Sequence, residues 1–342
     1  ESAIATLRAR LESVPDDPIA LLRLAGIHAR LGQHAEAMAR YAAAENAHPG
    51  NPAVLVARAA YLLERPDGLA AAFELAKNAY KSAPDNPAVL HTLGRAAFRS
   101  GDHTWAASVL REAVRRSPES AGVQADFTRA AYAVGNVADA LSAAESSIRL
   151  KPDAPRASEL ENFLVLVRAA DAAPTPSDLE LAAARLRTDA NDVPALMVQA
   201  RAAESSADSA SAVTIYAAVL NRYPQFTPAL KARALALARQ ANPPPEALAA
   251  ATKAREALPS DPAVAGALGT LHFRRGEFPR AATLLGESAR AEGASPEIHF
   301  MLGMAQRQLG QKDRARASLQ RALDLGLTGP LADEARAALA AP

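Results

Sequence analysis

Apolar residues recur along this chain with the spacing of amphipathic helices, and the helices come in pairs. Leu90, Leu93 and Ala97 follow the three- and four-residue spacing of one helix face. Gly101 then interrupts the pattern, and a second apolar stripe follows over residues 103–116. The pattern predicts an αα-hairpin. Such a hairpin cannot bury its apolar face alone, so it must stack on neighbouring hairpins.

The hairpin pattern repeats about every 34 residues. Prolines mark the period, because the residue before a proline is disfavoured in the α-helical conformation and a helix ends there. They are Pro15, Pro49, Pro84, Pro118, Pro152, Pro224 and Pro259. Glycines expected at the turn inside each hairpin keep the same period, namely Gly32, Gly101, Gly135, Gly276 and Gly310. The chain is therefore predicted to be all-α and repetitive.

Small and apolar residues at fixed places in each repeat resemble the tetratricopeptide repeat (TPR). In the repeat 87–120 the matching residues are Leu90, Leu93, Gly94, Gly101, Ala106, Leu110, Ala113 and Pro118. The resemblance implies a right-handed αα-superhelix, a TPR solenoid, of about nine helix-turn-helix repeats. Gly94 falls in the middle of a helix, where glycine is unfavourable, so we expect two helices to approach each other closely there.

The same resemblance covers nearly the whole chain and suggests its division. Segment 155–192 is longer than the other repeats and contains the loop sequence DAAPTP, so a bend is expected there. The predicted parts are the second helix of a truncated preceding repeat (1–16), four TPR-like repeats (17–154), a divergent repeat (155–192), four further TPR-like repeats (193–329) and a C-terminal capping helix (330–342).

Composition and hydropathy narrow the possible partners but leave the cellular compartment open. The 342 residues contain 38 Lys and Arg against 37 Asp and Glu, a formal net charge of +1, which gives no electrostatic case for binding nucleic acid. No apolar run reaches the ~18 residues of a membrane span, so direct membrane insertion is not expected. The chain starts without an initiator Met and reads as a fragment. A cytoplasmic and a periplasmic location therefore both stay open.

No motif for catalysis or cofactor binding stands out. The glycine motifs of nucleotide-binding loops are absent, the chain has no cysteine, and the seven histidines do not show the spacing of a metal site. His28 and His272 occupy an apolar column of the repeat, which predicts that they pack between helices. We therefore predict a protein that is not an enzyme and has no cofactor or bound metal.

The candidate binding residues lie on the first helix of each pair, which in TPR arrays lines a concave groove. Arginine binds carboxylates through two parallel hydrogen bonds, and aromatic rings supply apolar anchors. The resemblance thus implies a protein or peptide partner with acidic groups. The predicted residues are His91, Arg95, Phe98, Arg99, Arg129, Tyr132, Arg201, Lys231, Phe273, Arg274, Phe300 and Arg307.

Other roles remain open at this stage. The chain could be the regulatory array of a larger enzyme, with the catalytic domain outside this sequence. Its Ala- and Arg-rich repeats are also loosely similar to bacterial TPR scaffolds of exopolysaccharide export and cell-envelope assembly. Self-association through the first helix, which carries Ile4, Leu7 and Leu11, is a further expectation.

Overall fold

A computed structural model describes residues 2–340, so Glu1, Ala341 and Pro342, which belong to the predicted terminal segments, lie outside it. Every regular element in this range is an α-helix. The helices are α1 Ser2–Ser13, α2 Pro18–Arg30, α3 His34–Ala47, α4 Pro52–Leu63, α5 Leu69–Ser82, α6 Pro87–Arg99, α7 His103–Arg116, α8 Ala121–Ala133, α9 Val137–Arg149, α10 Ala154–Asp171, α11 Pro176–Thr188, α12 Val193–Ser205, α13 Ser209–Arg222, α14 Thr227–Arg239, α15 Glu246–Ala257, α16 Pro262–Arg274, α17 Phe278–Ser288, α18 Pro296–Gln308, α19 Lys312–Asp324 and α20 Gly329–Ala340. This confirms the predicted all-α class of about nine helix pairs.

The chain divides into two compact units, Glu1–Glu161 and Asn162–Pro342, called here the N-terminal and the C-terminal unit. Within each unit, second helices pack on the first helix of the next pair, as α5 does on α6 and α13 does on α14. Several neighbouring first helices also touch each other, as α4 and α6 or α14 and α16 do. No helix between residues 2 and 340 has the length and apolar character needed to cross a bilayer.

A short polar sequence before many first helices fixes where they begin. Asp17, Asn51, Asn86 and Asp261 each precede a proline in the first helical turn. The carboxylate of Asp17 accepts hydrogen bonds from the backbone N–H groups of Ile19 (2.9 Å) and Ala20 (3.0 Å). Such a cap satisfies donors that have no partner inside the helix, and proline at the first position needs none.

A buried glycine in the middle of three first helices allows close contact with the second helix of the same pair. A Cβ atom added to Gly94 would lie 2.8 Å from Cδ2 of Leu110, and one added to Gly269 would lie 2.9 Å from Cγ of Leu285. Both leucines are completely buried. A Cβ atom added to Gly303 would lie 2.7 Å from Cγ of Leu319. The expected close approach of the helices is therefore present.

The turn inside most pairs uses a glycine with positive φ, such as Gly101 at 89°. The pair α12–α13 makes the same turn with Ala207, at a φ of 61°. The backbone N–H of Ala207 donates to the carbonyl of Glu204 (3.1 Å), as that of Gly101 donates to Phe98 (3.1 Å). Alanine thus occupies a left-handed conformation that is unfavourable for any residue with a Cβ.

Replacing Ala207 with glycine is expected to raise the free energy of unfolding by about 0.5–1 kcal/mol, because relief of the left-handed strain exceeds the added flexibility of the unfolded chain. Gly101→Ala is the matched reverse change, since no atom lies within 4 Å of the added Cβ. It should lower stability by about 1 kcal/mol. Urea unfolding followed by circular dichroism measures both. A less stable Ala207→Gly variant would contradict the prediction.

His28, His272 and the apolar face of α1 are all at least partly covered by other helices or side chains. His28 and His272 are buried, as their column predicts, and their Nδ1 atoms face Gln33 (2.6 Å) and Glu277 (2.9 Å). In α1, Leu11 packs against a buried cluster that includes Leu21, so α2 covers part of the apolar face of α1. Self-association through this helix stays a prediction.

Candidate functional site

In the N-terminal unit, three of the four predicted basic residues surround one carboxylate, that of Asp126 on α8. Nε2 of His91 lies 2.7 Å from Oδ2 of Asp126, and Nε of Arg95 lies 3.4 Å from the same oxygen. NH1 of Arg129 is 3.8 Å from Oδ1. Partial burial opposes ionisation of Asp126. The hydrogen bond from His91 and the charges of His91, Arg95 and Arg129 outweigh that effect and hold the pKa of the carboxyl below its ordinary value.

Two further carboxylates extend this cluster in both directions. NH2 of Arg95 lies 2.5 Å from Oε1 of Glu64, which follows α4, and NH2 of Arg129 lies 2.7 Å from Oε1 of Glu159 on α10. The result is a continuous series, Glu64–Arg95–Asp126–Arg129–Glu159, which we call the ion-pair ladder. It connects the first helices of four successive repeats inside the N-terminal unit.

The ladder corrects the expectation of an arginine stripe open to acidic partners. Arg95 and Arg129 are both neutralised by carboxylates of adjacent repeats, and these carboxylates lie about 30 residues away in sequence. A guanidinium that is already paired gains less from a further carboxylate, because the new contact must replace an existing one. Arg95 and Arg129 therefore link adjacent repeats of the N-terminal unit.

The other three predicted residues of the N-terminal unit differ from one another. Phe98 is half-buried against the ring of His103, with ring centroids 4.9 Å apart. Arg99, at the end of α6, is exposed and forms no ion pair with the residues that the structure describes. Tyr132 is only 4% exposed, so it cannot serve as the predicted anchor for a partner. The spacing places Tyr132 beside Arg129, but on the packed flank of α8.

In the C-terminal unit, Arg201 and Lys231 also have acidic partners within the chain. Arg201 contacts Glu204 through NH1 (3.1 Å) and donates from Nε to the carbonyl of Ala172 (3.3 Å). Nζ of Lys231 lies 2.6 Å from Oδ2 of Asp261. The pKa of Asp261 is lowered, since the interaction with Lys231 and the capping N–H groups of α16 together outweigh partial burial. Both cations are therefore paired with a carboxylate of the chain.

The aromatic residues predicted in this unit pack inside it. Phe273 makes an edge-on contact with Phe278, with centroids 5.9 Å apart. Phe300 is 4% exposed and belongs to a buried cluster with Leu319 and Leu327, which corrects its predicted role as an exposed anchor. Arg307 is exposed.

The C-terminal unit has a groove of about 650 Å³ beside α16. Its walls come from α14, α16, the connection after α17 and the start of α18, and we call it the α16 groove. The floor is formed by small and apolar side chains, among them Ala263, Gly266, Ala267, Ile298 and Met301. Gly266 has no room for a side chain, because a Cβ there would lie 2.7 Å from Oγ of Ser288. The volume of the groove and the small side chains of its floor leave room for a bulky apolar group.

Charged residues of both signs line the α16 groove. Arg239 and Arg274 end α14 and α16, and Glu292 and Glu297 lie in and after the connection to α18. Arg274 donates from NH1 to the carbonyl of Gln240 (2.5 Å). Within residues 2–340, neither arginine is paired with a carboxylate. These two guanidiniums are therefore available to an acidic group from outside.

Of the residues around this groove, the sequence analysis identified only Arg274. Arg239 occupies the same position, the last residue of the first helix, as do Arg30 and Arg99. That shared position is a signal that would have identified Arg239. The two glutamates lie at a connection whose path sequence spacing does not reveal. Between residues 2 and 340, no three His, Asp or Glu side chains are grouped as metal ligands would be.

Three solved structures are similar to this chain. The Cut9–Hcn1 hetero-tetramer of APC/C matches 98% of this chain and 79% of its own, at 13% identity and a TM-score of 0.55. The TPR domain of P58(IPK) matches 90% and 93%, at 17% identity and a TM-score of 0.38. A mutant O-GlcNAc transferase of Thermobaculum terrenum matches 40% of this chain and 26% of its own, at 24% identity and a TM-score of 0.33.

The similarity to the Cut9–Hcn1 structure supports the fold, and sequence comparison identifies the family. No curated protein sequence matches this chain significantly. The profile of the family described as tetratricopeptide repeat matches residues 1–52, 57–121, 267–330 and 300–341, which together are more than half of the sequence. TPR proteins are typically non-catalytic scaffolds for protein interactions, and the match supports that role. The chain belongs to the tetratricopeptide repeat family.

Proposed function

We propose that this protein is a non-enzymatic scaffold whose C-terminal unit holds a linear segment of a partner protein in the α16 groove. A large apolar side chain of the segment rests on the floor formed by Ala263, Ala267 and Met301. An aspartate or glutamate of the same segment pairs with Arg239 or Arg274. The groove-binding role expected from the sequence is thus assigned to one part of the chain.

The observation that carries this proposal is the contrast between paired and unpaired arginines. The ladder arginines of the N-terminal unit have carboxylate partners at 2.5–2.7 Å. Arg239 and Arg274 border a groove and have none among the described residues. A planar guanidinium binds a carboxylate through two parallel hydrogen bonds, and next to an apolar surface such a pair is shielded from water. Affinity and selectivity for an acidic segment follow.

The two glutamates that line the groove add a preference for the orientation of the bound segment. Glu292 and Glu297 repel an acidic residue and attract a basic one. A segment that carries an acidic residue, then a large apolar residue, then a basic residue matches the groove in one direction only. Such a charge order would distinguish this groove from a general apolar surface.

Selection from a random peptide library on the whole protein tests the proposal. Enriched peptides are expected to contain an acidic residue close to a large apolar one. Arg239→Glu or Arg274→Glu should weaken their binding about tenfold or more, because a charge-assisted hydrogen bond becomes a like-charge contact. Ala263→Phe should also weaken binding, since it fills the groove without changing its charge. Fluorescence polarisation measures the dissociation constants.

Arg307→Glu is the matched control, because Arg307 is exposed, unpaired within residues 2–340, and outside the groove. It should leave affinity nearly unchanged. Higher salt should weaken binding to the wild type, since the contacts are partly exposed ion pairs. The proposal fails if no peptide is enriched, or if the enriched peptides bind the groove variants and the wild type equally.

A further inference from the structure

One position of the first helices belongs to the core in most repeats. The seventh residue of α2, α6, α8, α16 and α18 is a buried leucine or phenylalanine, and α12 has Gln199 there. The buried residues are Leu24, Leu93, Phe127, Leu268 and Leu302. In α4 and α14 the same position holds Arg58 and Arg233. Each arginine thus brings a charge to a site where other repeats have an apolar side chain, which is unfavourable unless an anion pairs with it.

At the first of these sites the chain supplies the anion itself. The guanidinium NH1 of Arg58 is paired with the carboxylate of Glu45, the twelfth residue of α3, and both side chains are mostly buried. The Nε of Arg58 is buried without a hydrogen-bond partner, but the net charge of the site is balanced. Arg58 and Glu45 therefore show how this fold accommodates an arginine at the seventh position.

The second site has the arginine but lacks the carboxylate. The twelfth residue of α13, which corresponds to Glu45, is Leu220. A pocket of about 260 Å³ opens there between α13, α14 and α15. Its polar lining consists of Arg233, Lys253 and Asn221, with no acidic residue among them. The buried Nε of Arg233 has no hydrogen-bond partner within the described part of the chain.

We propose that this pocket binds a small oxyanion of the phosphate class. Two cations and an amide donor converge on it, and a phosphate oxygen can accept from the guanidinium, from Nζ of Lys253 and from the Asn221 amide. The anion takes the place that the Glu45 carboxylate has beside Arg58. The pocket shares no residue with the α16 groove, so the proposal is independent of peptide binding.

Titration of the whole protein with inorganic phosphate tests the site, by ³¹P NMR line broadening and by calorimetry at constant ionic strength. The wild type is expected to bind phosphate. Arg233→Leu, which installs the residue that other repeats have at this position, should weaken binding about tenfold or more. Lys253→Gln should weaken it as well, and this exposed substitution does not threaten folding.

Leu220→Glu is the most informative variant, because it recreates the Arg58–Glu45 pair at the second site. It should abolish phosphate binding and raise the thermal unfolding temperature. Arg58→Leu is the matched control and should leave phosphate binding unchanged. Parallel titrations with phosphoserine and acetate show whether the ligand is a phosphorylated molecule, free phosphate or a carboxylate. Tighter binding of phosphoserine indicates a phosphorylated molecule, and equal binding indicates the free ion.

Three results would overturn the proposal. One is a wild type that shows neither heat nor line broadening with millimolar phosphate. Another is phosphate binding that survives Arg233→Leu. The third is acetate binding as tight as phosphate binding, because it would show a carboxylate site rather than a phosphate site.

Discussion

Gly94→Val is expected to lower the free energy of unfolding of the N-terminal unit by about 3 kcal/mol. Already the Cβ atom would come within 2.8 Å of a methyl group of Leu110, which is completely buried on α7. The two extra methyl groups of valine can be accommodated only if α6 and α7 move apart. Trp105, the single tryptophan of the chain, lies on α7. Its fluorescence during urea unfolding therefore measures the effect in this unit.

Two comparisons separate packing from helix propensity. Gly26 lies one position further along α2, and an added Cβ would have no atom within 4 Å. Gly26→Ala should therefore raise stability by about 0.5–1 kcal/mol. Leu110→Ala should cost less in the Gly94→Val background than in the wild type, because it frees space for the valine. Additive effects of the two changes would show that they do not share a contact, and would refute the packing argument.

Asp126→Ala is expected to destabilise the N-terminal unit by about 2 kcal/mol, the second largest effect. The change removes the shared partner of His91, Arg95 and Arg129 and leaves three basic groups close together. The Asp126 side chain is 18% exposed, so water weakens the interaction only in part. Glu64→Gln is the matched control. The Glu64 side chain is 69% exposed, and its loss should cost about 0.5 kcal/mol or less.

The effect of Asp126 should depend on pH in a defined direction. Its pKa in the folded protein lies below the ordinary value of 3.8. A carboxyl with a lowered folded pKa stabilises the fold fully above its unfolded pKa and loses that contribution as the pH falls through the folded pKa. The stability difference between wild type and Asp126→Asn should therefore shrink as the pH falls below about 4. Urea unfolding across this range measures it. A difference that grows as the pH falls below about 4 would contradict the assignment.

The sequence predicted the fold well because its signals are local and repeated. The proline and turn-glycine columns and the close contact at Gly94 each follow from the preferences of one residue in its own hairpin. A single repeat carries little information. Repetition of the same signals along the chain made the all-α prediction secure, and the family match confirmed it.

The candidate site was predicted less well because it depends on contacts between repeats. The sequence analysis followed basic and aromatic residues alone. It therefore overlooked Asp126, Glu159 and Glu64, which decide whether an arginine is free. Spacing also cannot separate the exposed flank of a helix from the packed one when both carry aromatic residues, which is why Tyr132 and Phe300 were assigned wrongly. Arg239 shares its helix-end position with Arg274, so the repeat pattern could have identified it, whereas Arg233 became visible only when equivalent positions of different repeats were compared in space.

The ion-pair ladder also bears on how such a chain can change its length. Arg95 and Arg129 both stand at the ninth position of a first helix, and their partners Asp126 and Glu159 both stand at the sixth position of the next. The repeat that contains α8 thus has an arginine that pairs with the following repeat and an aspartate that pairs with the preceding one. If a whole repeat of this kind were duplicated or lost, the arginine of one repeat would again face the carboxylate of the next. The ion pair between repeats would therefore be preserved when the corresponding gene segment is copied or deleted.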